Sequence, residues 1–222
     1  MYHNFLCYNF RVAESKNIEE RISTPPIHFN QSVSINNLPF IFEGDIPDKP
    51  SEFKWKIIAH DWQKQTQEIE QKISVGNMSR YLPLALKEFK SKEGAIGEIC
   101  AEIGEKNIAL SIIYTETWSL PKEFGYENIH GIGNFLLKNF LTFADIKCKP
   151  ILLHPYPTTN SPLNTEKTED WYKKNGFLLI ADAQNVKLSA EEKKKFSMVR
   201  LPKKPDLSQP IASVLQTNEA LA

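Results

Sequence analysis

Cysteine is scarce in this sequence, and the few cysteines form no pattern. Cys7, Cys100 and Cys148 are odd in number and lie far apart, so the paired spacing of a disulfide framework or a zinc site is absent. We interpret them as small apolar side chains of a protein from a reducing compartment. We also expect no metal centre.

The sequence also lacks a long apolar run and an excess of charge of either sign. No stretch approaches the roughly 18 apolar residues that span a bilayer, and no basic segment followed by an apolar one opens the chain. Lysine plus arginine equals aspartate plus glutamate at 27 each, which argues against a nucleic-acid or anionic-membrane partner. We therefore expect a cytoplasmic protein that binds neither nucleic acid nor membrane.

What is present is the composition of an ordinary globular protein. The 222 residues are 41% hydrophobic and 24% charged, which is enough for one substantial core. We expect a strand-like N-terminal extension at 1–50 that packs on the core, a core domain at 51–204, and a C-terminal tail at 205–222 that is mobile or loosely docked. A contact in a homodimer is the other role that we consider for the extension.

Apolar periodicity in the first half of the core predicts two helices and a hairpin. Apolar residues from Trp55 to Ile73 recur at steps of three, four and seven, which predicts an amphipathic helix across about 52–75. A second helix is expected to begin near Ser79. The segments "AIGEICAEI" and "NIALSIIYTETW" then predict two strands joined by the short polar loop "GEKN".

The second half of the core continues the alternation of helices and strands. The pattern predicts a helix across about 132–145, a buried strand within 149–156, and a helix across 168–177. Asn175 and Gly176 are expected to end that helix in the left-handed conformation. With two closing strands, "FLLIADA" and "FSMVRLP", the sequence predicts an α/β fold with a mixed sheet.

The stretch "NIHGIGNFLLKNF", at 128–140, places two glycines directly before a helix. Gly131 and Gly133 leave the backbone N–H groups of a helix start bare, and these groups attract an anion such as a phosphate. A tight turn that packs the helix closely on the sheet is the alternative interpretation. The NTPase loop GxxxxGK(S/T) is absent, and the dinucleotide pattern GxGxxG fails at Leu136.

Two motifs in succession resemble those of the GNAT superfamily of acyl-CoA-dependent N-acyltransferases. A strand leads to "NIHGIG" at a helix start, then come a strand and a helix ending in "WYKKNGF", across about 95–202. The family pattern Q/R-x-x-G-x-G/A binds the coenzyme A pyrophosphate through backbone amides. The resemblance implies a GNAT-like mixed, mostly antiparallel central sheet flanked by helices, with acetyl-CoA as co-substrate.

The resemblance assigns coenzyme A binding to one loop and the start of its helix. The residues are Asn128, Gly131, Ile132, Gly133, Asn134 and Phe135. Gly131 and Gly133 match the two glycines of the motif. Asn128 stands where the family usually has glutamine or arginine, so the motif here lacks its longer side chain.

The resemblance also implies a catalytic pair and a substrate cleft. Tyr172 matches the tyrosine that protonates or hydrogen-bonds the coenzyme A sulfur, and Glu116 lies where many members carry a general base. Packing against the neighbouring helix residue is the alternative for Tyr172, and simple solvation is the alternative for Glu116. Tyr114, His154 and Tyr156 are expected to line the substrate cleft, because the strands that carry them splay apart in this family.

The activity that follows is acetyl transfer from acetyl-CoA to a primary amine by direct attack in a ternary complex. The amine acceptor stays unidentified, because the family uses many acceptors. A non-catalytic GNAT-like module that binds coenzyme A or a protein is the alternative.

Overall fold

A computed structural model of the protein describes residues 26–47, 49–75, 81–115, 122–126, 129–156, 165–183 and 186–219. The strands are β1 (Ile27–Ile35), β2 (Leu38–Ile46), β3 (Ser51–Ala59), β4 (Ala95–Ile103), β5 (Ile108–Thr115), β6 (Ile151–Leu153), β7 (Leu178–Leu179) and β8 (Met198–Arg200). The α-helices are α1 (Trp62–Ser74), α2 (Leu82–Ser91), α3 (Ile132–Ile146), α4 (Thr165–Lys174), α5 (Ala190–Lys195) and α6 (Pro210–Glu219), and one 3₁₀ helix spans Lys122–Phe124.

The strands form one sheet of eight, in the order β1-β2-β3-β4-β5-β6-β8-β7. All neighbours are antiparallel except β5 and β6, which are parallel and joined through α3. This arrangement confirms the predicted α/β fold with a mixed, mostly antiparallel central sheet flanked by helices.

The parallel pairing of β5 with β6 is short. Ile108, Ala109 and Leu110 pair with three successive residues of β6, of which Leu153 is the last. The remainder of β5, residues 111–115, continues beyond the last paired residue. On the side of β6 the end of β5 therefore extends past its partner, while on the other side it stays paired with β4 as far as Thr115.

One face of the sheet carries the main core, because its strands alternate apolar and polar residues. In β3, Phe53, Trp55 and Ile57 are buried on this face, and the ring of Trp55 lies 5.4 Å from that of Phe143 in α3. The opposite face is polar at the centre of the sheet, where Lys54 pairs with a carboxylate of β4. Helices α3 and α6 contact strands of the sheet.

The predicted helix across 52–75 is wrong in its first part, since Ser51–Ala59 is the strand β3 and α1 begins only at Trp62. The steps that link Trp55, Ile58 and Trp62 fit a helix, but Phe53, Trp55 and Ile57 also alternate at the spacing of a strand. Pairing with β2 on one side and β4 on the other fixes the strand. Tertiary hydrogen bonding thus overrides the helical pattern.

Of the C-terminal tail, which we expected to be mobile or loosely docked, residues 210–219 form α6, and this helix docks on the core. Ile211, Ala212, Val214 and Leu215 are buried. The fully buried Asn139 of α3 accepts a hydrogen bond from the Ile211 amide at 3.1 Å through Oδ1. Its Nδ2 donates to the carbonyl of Phe135 at 3.0 Å, so a single side chain joins the start of α6 to α3.

Residues of the predicted extension are part of the same sheet. Strands β1 and β2 form a hairpin whose turn residues, Asn36 and Asn37, have φ values of 52° and 64°. Two left-handed residues make the tight turn that matches the twist of paired strands, and asparagine tolerates this conformation. The first 25 residues lie outside the described part of the chain.

Candidate functional site

The site is built around the start of α3. Gly131 precedes the helix with φ 90° and ψ −8°, a left-handed conformation that favours glycine, and no side chain caps the helix. The first amides of a helix have no partner within it. At α3 these belong to Ile132, Gly133 and Asn134, and a left-handed residue beside helical ones makes a concave set of donors that suits an anion.

Phe135 does not belong to this set of amides. Its N–H donates to the carbonyl of Gly131 at 2.8 Å, the first turn of the helix. Its ring lies 5.3 Å from that of Phe42 in β2, at 88°. The backbone of Phe135 thus closes the helix, and the prediction that it supplies a donor to the ligand is corrected.

Three glycines lie around the start of α3, and the structure requires glycine at two of these positions. Gly131 serves the left-handed turn. Gly97 of β4 serves close packing, because an added Cβ would lie 2.4 Å from Cγ2 of Ile132. Gly133 has neither reason: its φ is not positive, and an added Cβ would meet only Cγ2 of Thr115, at an ordinary 3.8 Å.

Gly133 lies beside the end of β5, where that strand extends beyond its pairing with β6. Thr115 is the last residue of β5, within the part of that strand that runs beyond its pairing with β6. Gly133 therefore lies beside the end of a segment that is paired with β4 but extends beyond its pairing with β6. A ligand that follows the edge of β5 would reach the amides at the start of α3.

The second motif is joined to the first by a hydrogen bond. The indole Nε1 of Trp171, in α4, donates to Oδ1 of Asn134 at 2.7 Å. Gly176 ends helix α4 in the left-handed conformation as predicted, at φ 87°, whereas Asn175 does not adopt it. The amides of Gly176 and Phe177 donate to the carbonyls of Lys173 and Tyr172. The predicted start near Thr168 is three residues late, since the helix begins at Thr165.

Tyr172 faces the interior rather than solvent. It is 7% exposed, and its ring lies 4.8 Å from that of Trp171 and 5.3 Å from that of Phe177. Burial raises the pKa of the Tyr172 hydroxyl well above its usual 10.0. The hydroxyl therefore keeps its proton at neutral pH and is equipped to donate a hydrogen bond.

Of the predicted cleft residues, Tyr114 lies on β5, and His154 and Tyr156 follow the end of β6. Tyr114 is half-buried on the polar face of β5, where the ammonium of Lys92 lies 5.9 Å from its ring centroid. His154 directly follows β6 and is exposed; its ring lies 5.4 Å from that of Tyr156. Tyr156 is 80% exposed. Glu116 and Asn128, the predicted base and the first residue of the motif, lie outside the described residues.

Sequence reasoning missed one residue at the loop. Nδ2 of Asn36, at the tip of the β1–β2 hairpin, donates to the carbonyl of His130 at 2.6 Å. The Asn36-Asn37 pair signals a turn, but nothing in the sequence indicates a contact between residues 94 positions apart. The hairpin of the predicted extension thus contacts the glycine loop.

Within the described ranges, no cluster of three or more potential metal ligands occurs. The helices of those ranges include none with the length and apolar character needed to cross a bilayer.

The described residues combine a mixed, mostly antiparallel sheet with a glycine loop at the start of α3. No protein-family model matches the sequence, and no curated protein does. Among solved structures, the anti-CRISPR protein AcrVA5 is similar with 20% identity and a TM-score of 0.33, across 47% of this chain and 88% of that one. The PaiA N-acetyltransferase from Thermoplasma acidophilum, solved in complex with coenzyme A, is similar with 18% identity and a TM-score of 0.32 across 68% of this chain and 99% of that one. Likenesses this distant carry no argument about what this chain binds.

Proposed function

We propose that the protein is an acyl-CoA-dependent N-acyltransferase that moves an acetyl group from acetyl-CoA to a primary amine. The observation that carries the proposal is Gly133. A glycine in the first turn of a helix costs stability relative to alanine, and neither packing nor φ requires one here. A pyrophosphate held by the amides at the start of α3 supplies the missing reason, because a side chain there would obstruct it.

The opening of the sheet supports the same assignment. Residues 111–115 of β5 extend beyond the strand's pairing with β6, and Thr115 lies next to Gly133. An extended thioester arm with amide groups suits the free edge of a strand, as an added strand does. The pyrophosphate would then bind the loop while the thioester lies between the separating strands.

The reaction needs little beyond orientation and proton transfer. The neutral amine attacks the thioester carbonyl carbon, the carbon–sulfur bond breaks and an amide forms; the proton that the nitrogen loses reaches the thiolate through solvent. Tyr172 would donate a hydrogen bond to the sulfur. Since its pKa is raised and that of an ordinary thiol is about 8.5, Tyr172 stabilises the thiolate and is a poor source of the proton itself.

Glu116 remains our candidate for the base that takes a proton from the substrate ammonium, directly or through water, so that the amine is neutral when it attacks. Tyr114, His154 and Tyr156 would line the acceptor side of the cleft. The predicted homodimer and the cytoplasmic location remain expectations.

The proposal is tested with purified protein by calorimetry with acetyl-CoA, coenzyme A and ATP. We expect acetyl-CoA and coenzyme A to bind and ATP to bind much more weakly. A panel of primary amines is then screened for release of free thiol from acetyl-CoA. Failure of folded protein to bind either coenzyme would refute the proposal; binding without turnover on any amine would favour the non-catalytic module.

A further inference from the structure

The β1–β2 hairpin holds the peptide that leads into α3. The side-chain amide of Asn36 donates a hydrogen bond through Nδ2 to the carbonyl oxygen of His130, at 2.6 Å. The hairpin also lies near the next residue, because a Cβ added at Gly131 would come within 3.9 Å of both Nδ2 of Asn36 and Cγ2 of Ile35. Ile35 is 6% exposed, so the hairpin end that carries Asn36 is anchored in the core.

This hydrogen bond fixes the direction of an amide on the far side of the same peptide. In a trans peptide the C=O of one residue and the N–H of the next point in opposite directions, and the described residues contain no cis peptide. Holding the His130 carbonyl toward the hairpin therefore turns the Gly131 N–H away from it. That N–H then lies next to the free amides of α3.

Without this contact, the loop would be free to change its conformation. Gly131 has φ 90°, and glycine passes between left-handed and other conformations at little cost. A rotation of the His130–Gly131 peptide would point a carbonyl oxygen where the Gly131 N–H now points. A carbonyl oxygen repels a phosphate, so the loop binds an anion only with the peptide held as the structure has it.

We infer that Asn36 is a positioning residue for coenzyme binding, which acts through the His130–Gly131 peptide and does not touch the coenzyme. This inference rests on the proposed function. It assigns the hairpin of the N-terminal region a role in the loop's ability to hold a pyrophosphate.

The test compares Asn36→Gly with Asn37→Gly, a control in the same turn. Both positions have positive φ, so glycine suits both, and both variants lose an asparagine side chain. Asn36→Asp adds a variant that tolerates the left-handed conformation but presents an acceptor to the His130 carbonyl. Calorimetric affinities for coenzyme A and for S-acetylpantetheine, which lacks the pyrophosphate, are measured alongside thermal unfolding.

We expect Asn36→Gly and Asn36→Asp to bind coenzyme A about tenfold more weakly, with Asn37→Gly unchanged. Binding of S-acetylpantetheine should stay at the wild-type level in all three variants. Equal weakening by the Asn36 and Asn37 variants, or equal weakening for both ligands, would overturn the inference, since either result indicates a general loosening of the fold. Wild-type affinity for coenzyme A in the Asn36 variants overturns it too, while wild-type protein that binds no coenzyme A overturns the proposed function itself.

Discussion

Gly133 can be substituted in a way that separates stability from ligand binding. Its φ is not positive, and an added Cβ would make only an ordinary contact with Thr115. Gly133→Ala should therefore raise the free energy of unfolding by about 0.4–1 kcal/mol. For a chain of this size that corresponds to a rise of about 1–4 °C in the midpoint of thermal unfolding. Gly131→Ala should lower the midpoint, because its φ of 90° is strained for alanine.

Binding should respond to the size and charge of the side chain at 133. Since a side chain at 133 should obstruct the pyrophosphate, we expect Gly133→Ala to bind coenzyme A more weakly than the wild type, with a smaller loss for its single methyl group than for a longer side chain. Gly133→Glu should lose at least two amide–phosphate hydrogen bonds of about 1.5–3 kcal/mol each. The dissociation constant should then rise at least about 100-fold. Gly133→Gln, which has the same length without the charge, should lose less.

The assay is calorimetric titration of coenzyme A into the wild type and the three Gly133 variants at two salt concentrations. Thermal unfolding is measured for these proteins and for Gly131→Ala. The difference between the Glu and Gln variants should shrink at high salt, because part of it is electrostatic repulsion. Wild-type affinity in folded Gly133→Glu would refute the placement of the pyrophosphate at this loop. A lower unfolding midpoint for Gly133→Ala would show instead that the glycine serves the fold.

Three further outcomes follow from buried groups. Tyr172→Phe should lower turnover of acetyl-CoA with little change in its affinity; unchanged turnover would remove Tyr172 from the mechanism. Burial raises the pKa of the Tyr172 hydroxyl above the usual 10.0, so above pH 10 the folded protein retains a proton that the unfolded chain releases. The free energy of unfolding should therefore fall as pH rises above 10, and it should fall less steeply in Tyr172→Phe. Asp145 accepts two hydrogen bonds of 2.8 Å from Arg200, and the two side chains are only 5% and 6% exposed. Asp145→Asn should therefore lower the free energy of unfolding, measured in urea, by about 3–5 kcal/mol. A loss below about 1 kcal/mol would contradict this prediction.

The parts of the fold that local chemistry specifies could be predicted from the sequence. Gly176 ends α4 because only a left-handed residue closes that helix cheaply, and the apolar spacing of α3 leads directly to its buried face. The β4–β5 hairpin followed from two strand patterns around a polar loop. Each of these signals lies within about fifteen residues of the feature that it predicts.

The features that depend on distant contacts could not be predicted in this way. Strand β3 is decided by its partners on both sides, since its own residues fit two periodicities. Helix α6 is docked by Asn139, 72 positions away, and a short helix without a strong apolar stripe gives no sign of that partner. The same holds for the contact of Asn36 with the glycine loop, whereas the loop itself was visible as two glycines.

The position of α6 has a consequence for the order in which the chain folds. Gln31 in β1 donates a hydrogen bond to Ser213 in α6 at 3.3 Å, a contact between residues 182 positions apart. Contacts this distant in sequence close late and slow the folding of a domain. During synthesis, the parts of α3 and β1 that α6 contacts must wait uncovered until residues 210–219 have left the ribosome, so the nascent chain exposes apolar surface that a chaperone would shield.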